Sequence, residues 1–204
     1  MNTPRPAINT VHAGRVLLGE LAKKFCDKEY CRDLIAAGAD LELQGSFHGR
    51  RALGTAIHHG HEDLAICMLK KGAQANIKDS FGETPLICAA TKNKVTIITA
   101  LIKHGADINA CNSTGRTALM EAATHGMDAA AAVLLHHGAD TKAQDFRGQQ
   151  AWHHAVRAGH TDIAALIRTT EKLRITQDFQ KAAARGTIRD RKVLRPKPQG
   201  QKPS

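Results

Sequence analysis

Aromatic residues are scarce in this sequence: Phe, Tyr and Trp make up 3% of its 204 positions. A single core filled with large rings is therefore not what the chain builds. Its plentiful Ala, Leu and Ile suit thin helical layers of small aliphatic side chains instead. No apolar run approaches the roughly 18 residues needed for a membrane-spanning helix. The opening residues, MNTPRPAINT, lack the charged-then-apolar layout of a signal peptide. The five cysteines, Cys26, Cys31, Cys67, Cys88 and Cys111, are odd in number and follow no regular framework, which argues against a disulfide scaffold. Cys67 and Cys88 sit in apolar helical runs and read as buried thiols. Cys26 and Cys31 are five apart, a spacing that fits neither a C-x₂-C ligand pair nor a redox dithiol. These absences lead to the expectation of a reduced protein in the cytoplasm.

Catalytic signatures are missing as well. There is no G-x-x-x-x-G-K-[ST] phosphate loop and no G-x-S-x-G nucleophile elbow. Asp and Glu are scattered without convergent pairing, and nothing in the order of the chain brings Ser, His and Asp together. Twelve histidines, among them His58-His59-Gly-His61, His136-His137 and His153-His154, invite a metal hypothesis. Adjacent residues on a helix point about 100° apart, so a doublet rarely converges on one ion. Zinc sites use spacings such as H-x₃-H or paired C-x₂-C. The expectation is a chain that is not an enzyme, with no catalytic residues, no metal site and no cofactor.

What the sequence has is a period. Gly49, Gly82, Gly115 and Gly148 lie 33 residues apart. Gly38-Ala39-Asp40, Gly72-Ala73-Gln74, Gly105-Ala106-Asp107 and Gly138-Ala139-Asp140 form a second series at nearly the same step. A fixed period of this length marks a stacked-repeat architecture, in which each unit buries its apolar face against its neighbours. The clearest unit, Asp79 to Ala110, carries G-x-T-P-L near its start and G-A-D-x-N-A at its end. With those elements the chain resembles the ankyrin repeat, strongly from Ser46 to Arg168 and weakly from Arg15 to Gln44. The resemblance implies an all-α solenoid of about five helix-turn-helix repeats with β-turn tips. It says almost nothing about a particular partner.

Along the chain, residues 1–13 hold two prolines and read as a flexible lead. A degenerate first repeat, 14–45, serves as the N-terminal cap, because terminal repeats have one face toward water. Residues 46–78 form the second repeat, where Arg51-Ala52 replaces Thr-Pro. In the third, 79–111, Thr84 is placed to cap a helix that Pro85 opens. The fourth, 112–144, has Thr117-Ala118-Leu119. The fifth, 145–170, has Trp152 where the others have Leu, and its polar Arg168 and Thr169 mark it as the last layer. Asn76 and Asn109 are placed to hydrogen-bond the adjoining turns. A short extra helix is expected over 171–184, with Leu173, Ile175 and Phe179 available to pack on the fifth repeat. The basic tail, 185–204, is expected to be disordered.

Net charge is +10, and it is unevenly spread. The tail holds Arg185, Arg189, Arg191, Lys192, Arg195, Lys197 and Lys202 against Asp190 alone, a balance of +6. Three readings of it stay open: a solvated extension, a contact with nucleic-acid or membrane phosphate, and a targeting or partner motif. Without aromatics for stacking, nucleic-acid binding through the tail would be non-specific and salt-dependent.

Ankyrin-like proteins generally bind with their turn tips and inner helices. Carried over, that surface comprises Phe47, His48, Arg50, His58, His59, Phe81, Glu83, Lys92, Arg116, His125, Phe146, Arg147 and Arg157. Aromatics beside arginines are enriched in binding hot spots. The function these features imply is a non-enzymatic, monomeric protein-interaction module for an acidic protein surface or peptide. Two alternatives stay open: a nucleic-acid-associated or targeted protein acting through its tail, and a bacterial translocated effector delivered to a host protein.

Overall fold

The structure, a computed structural model, describes residues 9–23, 26–45 and 48–184. Among the described residues the regular elements are ten helices: α1 (Thr10–Leu21), α2 (Lys28–Ala36), α3 (Ala52–His59), α4 (Glu62–Lys70), α5 (Pro85–Thr91), α6 (Val95–Lys103), α7 (Ala118–His125), α8 (Asp128–His136), α9 (Ala151–Ala158) and α10 (Thr161–Ala184). The chain divides into two units, 1–168 and 169–204. The first carries the repeats. Of the second, the described part is the end of α10.

Helix starts follow local chemistry. Thr84 Oγ1 accepts the Ile87 N–H at 3.3 Å and Thr117 Oγ1 accepts that of Met120 at 3.4 Å. Each hydroxyl satisfies an amide that the first helical turn leaves unpaired. Pro85 opens α5, where its missing N–H costs nothing. Arg51, standing where the pattern has Thr, gives α3 no side-chain cap.

Odd-numbered helices α1, α3, α5, α7 and α9 pack in succession, and so do α2, α4, α6 and α8. Every pair from α1·α2 to α7·α8 also packs internally. Between these layers lies one continuous apolar cluster, from Ala13, Leu17 and Leu21 through Leu64, Ile87, Ile97 and Leu119 to Ile163 and Ile167. Ala56, Ala89, Ala90, Ala122, Ala123 and Ala155 are fully buried. Side chains of one methyl allow the odd-numbered helices to approach closely, which explains how a chain so poor in rings fills its interior.

The structure differs from the sequence expectations at both ends. The first helix begins at Thr10, not Gly14. Asn9 Oδ1 accepts the N–H groups of Val11 and His12, both at 3.1 Å, and this cap draws Ala13 into the core. At the other end, residues 171–184 form no separate helix: they continue α10, which runs unbroken for 24 residues. Leu173 and Ile175 are exposed on it. Residues 1–8 and the tail 185–204 lie outside the described residues.

The turn tips are built on side-chain carboxylates and amides. Asp79 Oδ1 accepts the N–H groups of Phe81 and Glu83, both at 2.9 Å. Asn112 does the same for Thr114 and Arg116, and Asp145 for Arg147 and Gln149. Each tip then bonds to its neighbour through the backbone: Ser80 N–H to His48 O, Ser113 N–H to Phe81 O, and Phe146 N–H to Thr114 O. Asn76 and Asn109 connect repeats through their side chains, each Oδ1 accepting a backbone N–H of the next repeat, from Asp107 and Asp140 respectively.

The tip glycines make this approach feasible. At Gly82 φ is +72°, and a Cβ there would lie 2.7 Å from the Ser113 nitrogen of the next tip. At Gly148 φ is a similar +73°, but a Cβ would meet nothing within 4 Å. Gly82→Ala therefore carries left-handed strain together with a forced shift of the neighbouring tip, whereas Gly148→Ala carries the strain alone. The expected losses are about 2–4 kcal/mol for the first and about 1 kcal/mol for the second. Urea unfolding of both variants checks this, and equal losses would refute the inter-tip contact as the source.

Candidate protein-interaction surface

The tip side chains named from the sequence fall into two groups. Most of the cations are already engaged. Arg50 Nε lies 3.1 Å from Asp79 Oδ2 and its Nη2 3.2 Å from Glu83 Oε2, so one guanidinium ties the second tip to the third. Arg116 Nη1 stands 3.5 Å from Glu121 Oε1, and its Nε is 4.0 Å from Asp145 Oδ2 of the following repeat. Glu121 and Asp145 are both buried. A buried carboxylate is tolerated where it is paired, so these arginines balance charges that the tips bury. Arg50, Glu83 and Arg116 thus serve contacts between and within repeats.

Asp145 and His154 form the most enclosed part of this network. His154 Nε2 lies 3.0 Å from Asp145 Oδ2, while Nδ1 lies 3.3 Å from Arg157 Nη2. A guanidinium can only donate, so Nδ1 accepts and the ring proton sits on Nε2. Burial, and after it the nearby Arg116 cation, holds the His154 pKa below its ordinary value against the opposing pull of Asp145. Burial alone would raise the Asp145 carboxyl. The N–H donors of Gln149 and Arg147, with His154, overcome this and hold it low. Arg157 also donates to Gln149 Oε1 at 3.0 Å. With both ring nitrogens occupied, His154 offers no general base to a substrate.

The aromatic tips behave differently. Phe81 leans on His48, ring centroids 4.9 Å apart, yet is 50% exposed. Phe146 is 76% exposed, and a Cβ at Gly115 would lie 2.7 Å from its ring edge. Arg147 and Lys92 are exposed. His125 Nδ1 bonds the Glu121 carbonyl oxygen at 2.9 Å within α7. His58 and His59 stand edge to face at the end of α3, and burial followed by the Arg50 charge depresses the His58 pKa. Phe47 and the tail residues Arg185 to Lys197 lie outside the described residues.

Sequence reasoning overlooked the residues that set the tips, Asp79, Asn112 and Asp145. Their signal is an Asp or Asn three positions before each of the tip glycines 82, 115 and 148. The Cys26–Cys31 spacing was also misleading: the two Sγ atoms are 3.4 Å apart. Among the described residues, no group of three or more His, Cys, Asp or Glu side chains converges as a metal ion would require. No helix among them is long and apolar enough to cross a membrane.

Three histidines, His58, His61 and His154, have depressed pKa values, each chiefly through burial. The His61 Nε2 is buried with no hydrogen-bond partner. Folding keeps these rings neutral, so the unfolded chain binds protons more readily below the ordinary value of 6.5. Stability should be fully present above pH 6.5 and fall as pH drops through the folded-state values; Asp145 adds a further loss only below 3.8. Urea midpoints at pH 7 and pH 5 check this. A midpoint as high at pH 5 as at pH 7 would contradict it.

The chain matches the family described as ankyrin repeats (3 copies) over residues 18–111, 56–145 and 110–178. It is also 34% identical over 70 residues to Protein PhlB of Serratia liquefaciens, a stretch that covers 34% of this chain and 31% of that protein. The match thus spans about a third of that curated relative's length. Ankyrin repeats are generally protein–protein interaction modules, and the family is typically non-enzymatic. The family matches run without a gap from residue 18 to residue 178, through the helix pairs and bonded tips described above: the chain belongs to the ankyrin-repeat family.

Proposed function

We propose that this chain is an adaptor whose third to fifth turn tips bind a partner protein, with Phe81 and Phe146 as apolar anchors and Arg147 and Lys92 as the cations that favour an acidic surface. The observation that carries this reading is the exposure of two large rings on tips that are otherwise held rigidly by backbone bonds. An aromatic on a preformed support loses little freedom when it binds, so more of its buried area is realised as affinity. Arg50, Glu83 and Arg116 serve this surface indirectly, by fixing the tips on which the anchors stand.

That division governs the choice of variants. Replacing Arg116 would leave Glu121 and Asp145 buried without their cation, and lost binding could then reflect a damaged fold. The informative variant is Phe81→Ala with Phe146→Ala and Arg147→Ala, since all three side chains are exposed. Partners retained by the full chain from nuclease-treated lysate should fall at least about tenfold on this variant, as expected for loss of hot-spot anchors, with the urea midpoint close to that of the parent. Retention unchanged by the triple variant but lost on removal of residues 185–204 would overturn the tip surface in favour of the basic tail.

A further inference from the structure

The first helix pair carries a feature unrelated to the tips. Cys26 lies in the connection between α1 and α2, and Cys31 lies in the first turns of α2. Their sulfurs are 3.4 Å apart, in direct contact. Their environments differ sharply. Cys31 is fully buried in the core cluster, whereas Cys26 is only partly covered. A reagent from solvent reaches Cys26, and Cys31 is reached through Cys26. The Lys23 ammonium, tied to Glu20, has its pKa raised chiefly by that carboxylate and to a smaller degree by Cys26 and Cys31. None of Cys67, Cys88 and Cys111 has a second thiol in contact.

We propose that Cys26 and Cys31 are a modification site that closes into a reversible intramolecular disulfide by exchange with a low-molecular-weight disulfide such as oxidised glutathione. In the first step the Cys26 thiolate attacks one sulfur of the oxidised glutathione. The glutathione S–S bond breaks, a Cys26–glutathione mixed disulfide forms, and one glutathione thiolate leaves. In the second step Cys31 gives up its proton to solvent and its sulfur attacks Cys26 Sγ, expelling the second glutathione thiolate. Two protein thiols are oxidised, one small disulfide is reduced to two thiols, and the two protons lost by the protein are taken up by the leaving thiolates.

Separating an accessible sulfur from a buried one in contact with it gives the reaction its order. Burial, with the hydrogen bond to Cys26, pushes the Cys31 thiol up to about 12, so it is almost wholly protonated at neutral pH. The first attack therefore belongs to Cys26, and resolution by Cys31 quickens as pH rises. Sulfurs already in contact need only a short approach to reach the S–S separation of about 2.05 Å. The product closes a small covalent loop from the end of the α1–α2 connection to the first turn of α2, which restricts the unfolded segment more than the folded one.

The test uses the full reduced chain with oxidised glutathione at pH 7 and pH 9, followed by intact mass, thiol titration and peptide mapping. The expected end state is a loss of two of the five free thiols, with a peptide linking Cys26 to Cys31. Cys31→Ala replaces the buried thiol with a small apolar group suited to the core, and it should stop at the glutathione adduct on Cys26. Cys26→Ser, at the partly exposed position, should leave Cys31 unmodified. A parent chain that halts at the glutathione adduct at both pH values would overturn the proposal. So would one that reacts at Cys67 or Cys111 while Cys26 and Cys31 stay reduced.

Discussion

Each turn tip takes its position from the one before it through a backbone hydrogen bond, and most of the molecule's particulars follow from that spacing. Ser80, Ser113 and Phe146 each donate to a carbonyl of the preceding tip. For the bond to form, two stretches of main chain must come within van der Waals contact, and a Cβ at Gly82 would occupy the gap. The same spacing must hold at the helices, since tips and helices are parts of one repeat. Fully buried alanines in α3, α5, α7 and α9 satisfy it, because a larger side chain there would push the layers apart while the tips pulled them together.

Charge at the tips is governed by the same closeness. An Asp or Asn whose side chain accepts two backbone N–H groups fixes the turn, but a carboxylate placed there is partly withdrawn from water. The neighbouring tip supplies the compensation: Arg50 for Asp79, Arg116 for Asp145. Where the tip uses the neutral Asn112, no such cation is required, and its amide instead reaches Glu121 at 3.3 Å. A residue that looks ready for an acidic ligand in the sequence is thus committed to holding the stack. The exposed rings of Phe81 and Phe146 gain from that commitment, because rigid tips keep them in place.

What was legible in the sequence was whatever repeats or acts locally. The period, the Thr84 and Thr117 caps, the proline opening α5, and the roles of Asn76 and Asn109 are all visible in short windows of sequence. The Arg50–Asp79 and Arg116–Asp145 pairs were not, because each joins residues 29 positions apart and only the folded spacing identifies them. The helix break expected after residue 170 is absent for a different reason. The fifth repeat was expected to end there and a new helix to begin at 171, but Thr161–Ala184 contains neither glycine nor proline, so no backbone signal stops α10 there. The Cys26–Cys31 contact was hidden because spacing rules for thiol pairs describe continuous helices or tight loops, and this pair straddles a connection and a helix start.

The two ends of the stack meet solvent by different means. At the N-terminal end, Leu17, Leu21 and Cys31 are fully buried, because α1 and α2 turn their apolar sides onto α3 and α4 and present mostly polar residues outward. At the other end, Trp152 is shielded by stacking on His153 at 3.6 Å and by the Arg168 guanidinium 4.7 Å above its ring, while Val156 stays 54% exposed. Planar, weakly hydrated groups thus cover the indole on this side. The α9 cap differs accordingly: with Gln150 in place of Thr, the Gln150 backbone N–H donates to His153 Nδ1 at 3.1 Å and the Gln150 side-chain Oε1 accepts the Trp152 indole N–H at 2.8 Å. The fifth repeat therefore departs from the pattern at Gln150, Trp152, His153 and Arg168 together. These residues meet around the Trp152 and His153 rings, which makes the departures one structural solution rather than four separate irregularities.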